Sequence, residues 1–225
     1  NNTAGTSNLR LGVNAGNSIV SGGNYNTVVG DEAGTAITTG DSNIGVGFGA
    51  VKAATTGSQN VGVGVNTLAT LTTASYNTAL GTSALTANTS GANNVAVGTN
   101  ALDANTTAAN NTAVGYDSLG ANTTGTDNVA VGAFAGDAIT TSSSNVAVGI
   151  RALSGETKGT NNVAIGRDAL AVQNTTSAVV SANTAVGALA GAAVTTGVQN
   201  TLIGGLAGDA ITTASNNTAI GYVSL

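Results

Sequence analysis

The chain has 225 residues, a formal net charge of −5, and only 7% charged and 3% aromatic side chains. Five basic residues (Arg10, Lys52, Arg151, Lys158 and Arg167) are too few to track a nucleic-acid backbone, and the net charge opposes one. His and Cys are both absent, which excludes the common catalytic triads, most zinc sites and any disulfide framework.

One pattern organises everything else. Asn, any residue, a usually small residue, an aliphatic and then Gly begins at Asn8, Asn26, Asn43, Asn60, Asn77, Asn94, Asn111, Asn128, Asn145, Asn162, Asn183, Asn200 and Asn217. The spacing is 17 residues except for a step of 18 after Asn8 and one of 21 after Asn162. So regular a period marks a repeat architecture. No composition shift divides it, so residues 1–225 read as one repeat array. A repeat of 17 residues is too short for a helix pair and suits one coil of a parallel β-solenoid, all-β, with two short strands and two turns. The abundant Val, Ile and Thr favour strands.

With the Asn as position 1, positions 2 to 4 form the first expected strand. Position 4 is always aliphatic, from Leu11 and Val29 to Ile203 and Ile220. Side chains alternate along a strand, so position 4 is expected to point into the coil with position 2. The small position 3, usually Ala or Gly, is expected to point outward and let another chain approach. Position 5 is Gly in every copy, as a positive-φ corner or a tight backbone approach requires.

A second strand is expected near position 7. Position 9 is either Gly, as at Gly34 and Gly136, or a larger aliphatic, as at Leu102 and Leu119. Gly there accompanies Ile or Val at position 12 (Ile37, Ile139), whereas Leu usually accompanies a polar residue (Asn88, Asn105, Asn122, Glu156, Gln173). Volume that leaves one position and reappears at another implies a shared interior slot. Positions 13 to 15, Thr-Thr-Gly or close to it, read as a turn. The Asn column at position 1, stacked at about 4.8 Å per coil, is expected to form a hydrogen-bonded amide ladder.

The motif residues 94–102 and 162–170 resemble the head repeats of YadA-type trimeric autotransporter adhesins, a left-handed β-roll. Residues 111–125 resemble repeat arrays in phage tail fibres. The thirteen motif copies make about 13 coils, and the resemblances imply a homotrimeric, extracellular fibre on a cell surface or virion, serving attachment to an unknown cell-surface or glycan receptor. A thin core relative to the entropy of ordering each coil also predicts association. The expected partners are copies of the chain, with no nucleic acid. The uncharged run 169–207 is interrupted by Asn, Thr, Ser, Gln and Gly, so no membrane insertion is expected in this segment.

Residues 2–7 align with residues 122–127, and the last residue falls at position 9. This predicts a window of a longer array or, alternatively, an extracellular filament subunit that stacks end to end. A further alternative is ice binding through the Thr columns at positions 13 and 14. Catalytic, cofactor and metal sites are expected to be absent. Asp103, Asp137 and Asp209 share position 10 but not neighbouring coils, and Asp31-Glu32 reads as a solvated turn. Gly45 to Gly49 is explained by the repeat rather than by nucleotide binding.

Two departures from regularity are candidate recognition features. The longer step before Asn183 predicts a bulging loop at Thr176, Ser177, Ala178, Val179, Val180 and Ser181. Tyr25, Phe48, Tyr76, Tyr116, Phe134 and Tyr222 occupy turn positions and are expected to be exposed. Asn88, Asn105, Asn122 and Asn174 begin glycosylation sequons.

Overall fold

The computed structural model describes residues 5–175 and 177–225. The alignment of residues 2–4 with the repeat, and the loop residue Thr176, lie outside the described residues. The chain divides into two compact units, Asn1–Asn110 and Asn111–Leu225. Both are parallel β-solenoids, and no helix occurs among the described residues.

The first unit carries β1 (Leu9–Leu11), β2 (Thr27–Val29), β3 (Ile44–Val46), β4 (Val61–Val63), β5 (Thr78–Leu80) and β6 (Val95–Val97). The second carries β7 (Thr112–Val114), β8 (Val129–Val131), β9 (Val146–Val148), β10 (Val163–Ile165), β11 (Thr184–Val186), β12 (Thr201–Ile203) and β13 (Thr218–Ile220). Within each unit, consecutive strands pair in parallel with like positions opposite one another, as Val46 is to Val63 and Val131 is to Val148. Even across the longer step before Asn183 the register holds, with Ile165 opposite Val186.

Each coil has one short strand, not two. Positions 7, 9 and 17 hold left-handed backbone, as at Asn66 (φ 55°), Leu68 (φ 50°) and Tyr76 (φ 65°). A strand cannot run through alternate residues of that hand, so the expected second strand is replaced by consecutive turns. The position 5 Gly has φ between 126° and 143° in every coil. Its glycine is also required by stacking, since a Cβ on Gly47 would lie 2.4 Å from the Gly64 carbonyl oxygen.

The alternation predicted for the strand is present, but its sense is reversed. Position 3 faces the interior: Ala79, Ala96, Ala113, Ala164 and Ala185 are fully buried. Positions 2 and 4 face outward and are half-buried or exposed. Alternation fixes which residues share a face but not which face is inside. Volume decides it here, because the turn at positions 8 and 9 folds directly over the strand. A Cβ on Gly45 would meet the Val51 Cγ2 at 2.4 Å. The interior of most coils therefore holds one large aliphatic from position 9 or 12 beside positions 3 and 8; the coil starting at Asn60, which buries both Leu68 and Leu71, is the overfilled exception.

That large side chain comes from position 9 or position 12, as the volume exchange predicted. Leu85, Leu102, Leu119, Leu153 and Leu170 at position 9 are fully buried, as is Ile37 at position 12. A Cβ added at Gly34 would sit 2.8 Å from Ile37 Cδ1, and one at Gly136 would sit 3.1 Å from Ile139 Cδ1. Position 3 shares the slot as well. Its larger occupants Val28 and Leu202 lie in coils with Gly at position 9, and their methyls approach the Cβ positions of Gly34 and Gly208 at 2.5 and 2.7 Å.

Candidate functional site

The motif Asn is structural. Asn26 to Asn94 in the first unit and Asn111 to Asn200 in the second are buried. Asn60 donates from Nδ2 to Asn43 Oδ1 at 3.0 Å and to the Ala74 carbonyl at 2.9 Å. Its own Oδ1 accepts from the Asn77 backbone N–H at 3.0 Å and from Asn77 Nδ2 at 3.2 Å. The same pattern links Asn8 to Asn26 and on to Asn94, and joins Asn128, Asn145 and Asn162, then Asn183, Asn200 and Asn217. Asn128 takes the Asn111 Oδ1 through its backbone N–H at 3.0 Å. The ladder cross-links coils and commits its buried amides to one another and to backbone carbonyls.

A second file of side-chain oxygens went unrecognised in the sequence. At position 16, Asp41, Ser58, Ser75, Ser143 and Ser215 each accept a backbone N–H of the preceding coil at 2.6 to 3.0 Å, from position 16 except in the longer first coil, where Asn24 at position 17 donates. The signal was available as a column of short oxygen-bearing side chains. Position 13 hydroxyls also serve the backbone: Thr38, Thr55, Thr72 and Thr89 each donate to the position 13 carbonyl of the next coil.

The outward sheet face is chemically uniform. Positions 2 and 4 carry Val, Ile, Leu or Thr throughout, with no charged residue. Ile44 and Leu80 in the first unit, and Val129, Val131, Ile165 and Ile203 in the second, are more than a third exposed. An exposed aliphatic column of this kind departs from an ordinary solvated sheet face. All six aromatics are exposed, and Tyr116 and Phe134 meet edge to face at 5.2 Å.

The step before Asn183 contains the most unusual polar cluster. Glu156, at position 12, is fully buried. Its Oε1 accepts from the backbone N–H of Thr157, Lys158 and Gly159 at 2.7 to 2.9 Å and from the Thr175 hydroxyl at 3.0 Å. Its Oε2 accepts from Gln173 Nε2 at 2.9 Å. Gln173 in turn donates to Asn162 Oδ1 and accepts from Asn183 Nδ2, both at 3.1 Å, which repairs the ladder across the longer step.

Of the expected loop, Ser177, Ala178, Val179 and Val180 are exposed, and Val180 bridges in parallel to Thr160. Ser181 is a correction. It is buried, accepting from Asn162 Nδ2 at 3.2 Å, because the chain has rejoined the coil by then. Thr175, Ser177, Val179, Val180, Thr196 and Val198 line a cavity of about 310 Å³ beside the loop. Among the sequons, Asn88, Asn105 and Asn122 are buried, which closes them to glycosylation in the folded chain, whereas Asn174 is exposed.

Charged groups pair locally. Glu32 meets Lys52, and Asp168 is clasped by Arg151 at 2.7 Å and Arg167 at 2.6 Å. The Arg151 hydrogen bond holds the Asp168 carboxyl below the usual range, and the same contact raises the Arg151 pKa. Burial raises the Asp137 pKa, aided by the charge of Asp117 and opposed by backbone hydrogen bonds. No group of three or more acidic side chains among the described residues is arranged to hold a metal ion. No helix among the described residues is long and apolar enough to cross a membrane. Comparison with protein-family models, curated proteins and solved structures gives no match.

Proposed function

We propose that this chain is a non-enzymatic segment of an extracellular attachment fibre, of the tail-fibre or surface-adhesin kind, working as a homotrimer. The carrying observation is the outward sheet face in both units, where position 4 is Val, Ile or Leu in every coil and position 2 is one of these or Thr. An uninterrupted aliphatic row with no charge beside it is an interface composition rather than a solvated one. A homotrimer is a closed assembly in which each copy presents the same surface, so an identical row on every coil suits it. The contact surface expected at position 3 is thereby moved to its neighbours, because position 3 fills the coil. A scaffold locked by two side-chain ladders and by carbonyl-bonded Thr hydroxyls suits a rigid shaft or head that displays variable turns to a receptor.

Sedimentation tests the assembly. The wild-type chain is expected to run as three copies. Changing Val131 and Ile165 together to Lys is expected to give a monomer that keeps its β-sheet signal. A monomeric wild-type chain overturns the trimer. Binding of labelled trimer to bacterial cells tests attachment, and no saturable binding across a broad panel counts against it.

A further inference from the structure

We propose that the cavity beside the 177–180 loop is a binding site for one neutral pyranose ring carrying a methyl group, a 6-deoxyhexose residue of a surface polysaccharide. This rests on the attachment reading and names the chemistry of its receptor. At about 310 Å³ the cavity lies at the small end of ligand pockets, the size for one ring rather than an extended ligand. Its lining is divided: Val179, Val180 and Val198 supply methyl groups, and Thr175, Ser177 and Thr196 supply hydroxyls. No charged side chain lines it, so an ionised ligand would lose hydration without finding a partner. No aromatic lines it either, so the apolar side fits a methyl group rather than the stacked face of a ring.

The hydroxyls differ in role. The Thr175 hydroxyl spends its proton on Glu156, so its oxygen faces a ligand as an acceptor. The Ser177 and Thr196 hydroxyls are exposed and make no hydrogen bond to a described residue, so they are free to donate. Three backbone N–H groups anchor the buried Glu156 carboxylate, which in turn accepts the Thr175 hydroxyl, so one wall of the cavity is held in place before any ligand arrives. Val198 gives an independent indication. Position 16 supplies a side-chain oxygen that accepts a backbone N–H at Asp41, Ser58, Ser75, Ser143 and Ser215; it is apolar at Ala92, Ala109 and Val198, and the largest of these three, Val198, lies in the coil facing the loop. That coil gives up a ladder acceptor at the place where the cavity gains an apolar wall.

Saturation-transfer NMR and titration with methyl α-L-fucoside, methyl α-L-rhamnoside and methyl α-L-galactoside test this. The galactoside differs from the fucoside only by a hydroxyl on C6. At least one 6-deoxy sugar is expected to bind with a dissociation constant on the order of 1 mM, with its methyl protons most strongly saturated. Methyl α-L-galactoside is expected to bind about tenfold more weakly than the fucoside, since its extra hydroxyl meets valines. Val198→Ser restores the residue type found in other coils, so it is expected to fold and to lose most of the binding. Equal binding of the fucoside and galactoside, binding unchanged in Val198→Ser, or no saturable binding of either 6-deoxy sugar overturns the proposal. Sedimentation reads the trimer separately, so a trimer that ignores these sugars refutes the site and leaves the fibre standing.

Discussion

Replacing Leu119 by Gly and Asn122 by Ile moves the interior bulk of one coil from position 9 to position 12. The next coil already has that arrangement, in Gly136 and Ile139. Leu119 is fully buried at φ 52°. Emptying its site costs about 2–5 kcal/mol by the large-to-small rule. Gly at a left-handed position recovers about 1–2 kcal/mol of backbone strain. Leu119→Gly alone is therefore expected to cost about 1–3 kcal/mol. Asn122→Ile alone overfills the slot, at about 1–3 kcal/mol. It also removes the 3.0 Å bond from Asn122 Nδ2 to the Gly125 carbonyl, for about another 1 kcal/mol or more.

In the double variant the Ile occupies the space that Leu vacated and the Gly keeps its backbone relief, which offsets the hydrogen bonding lost with Asn122. The double variant should lie within about 1 kcal/mol of wild type, less destabilised than either single change. Guanidinium unfolding of the four proteins at one protein concentration reads the cycle, with concentration held constant because assembly adds to apparent stability. A double variant no more stable than Leu119→Gly would refute the shared slot.

Other expectations follow from single contacts. Asn60→Ala leaves the Ala74 carbonyl and the Asn77 N–H without their buried partner, and is expected to cost about 3–5 kcal/mol in chemical denaturation. Glu156→Gln sets an NH₂ group against either the backbone N–H groups or Gln173 Nε2. A loss of about 1–3 kcal/mol is expected, and hydrogen exchange should show it concentrated at residues 157–159 and 173–175. Asp137 has a pKa raised by burial, so its contribution is most favourable below the unfolded carboxyl range and is lost as pH rises through the folded value. Asp137→Asn should accordingly stabilise the chain at pH 7 and lose that advantage in acid; a pH series of melting temperatures with no such trend would count against the burial. Asp168 has the opposite sign: its contact with Arg151 helps above the unfolded carboxyl range and fades as pH falls through the folded value.

The period, the parallel register, the Asn ladder and the exchange between positions 9 and 12 were legible in the sequence because each depends on a column. Whatever a position does in one coil it does in the next, and thirteen samples separate a rule from an accident. Columns say less about direction. Val at position 4 and Ala at position 3 are each uniform, and hydrophobicity favours putting the larger one inside. The correct answer lay in a correlation between columns. Val28 and Leu202, large at position 3, occur only where position 9 is Gly, which an outward position 3 would leave unexplained. The second expected strand failed for a different reason. Leu is abundant at position 9, and nothing in its identity announces a φ near 50°, whereas the Gly that alternates with it does.

The loop before Asn183 shows what the scaffold demands of any departure. Four extra residues separate Asn162 from Asn183, yet β10 and β11 keep the register of every other pair in the second unit. Register survives because the ladder is mended from inside. Gln173, one methylene longer than the Asn used at position 12 in other coils, reaches both Asn162 and Asn183. Glu156 in the preceding coil then gathers the turn N–H groups and Thr175 around one carboxyl group. The two position 12 residues that looked like two more polar partners of Leu are thus the pair that makes the loop possible. Shortening the step by deleting residues 176–179 restores a 17-residue spacing but leaves Glu156 and Gln173 facing a turn built for Asn. That deletion should destabilise the chain unless both residues are changed to Asn with it, and denaturant midpoints of the deletion with and without the two changes decide the matter. Equal midpoints would mean that the loop and its buried carboxyl group are independent.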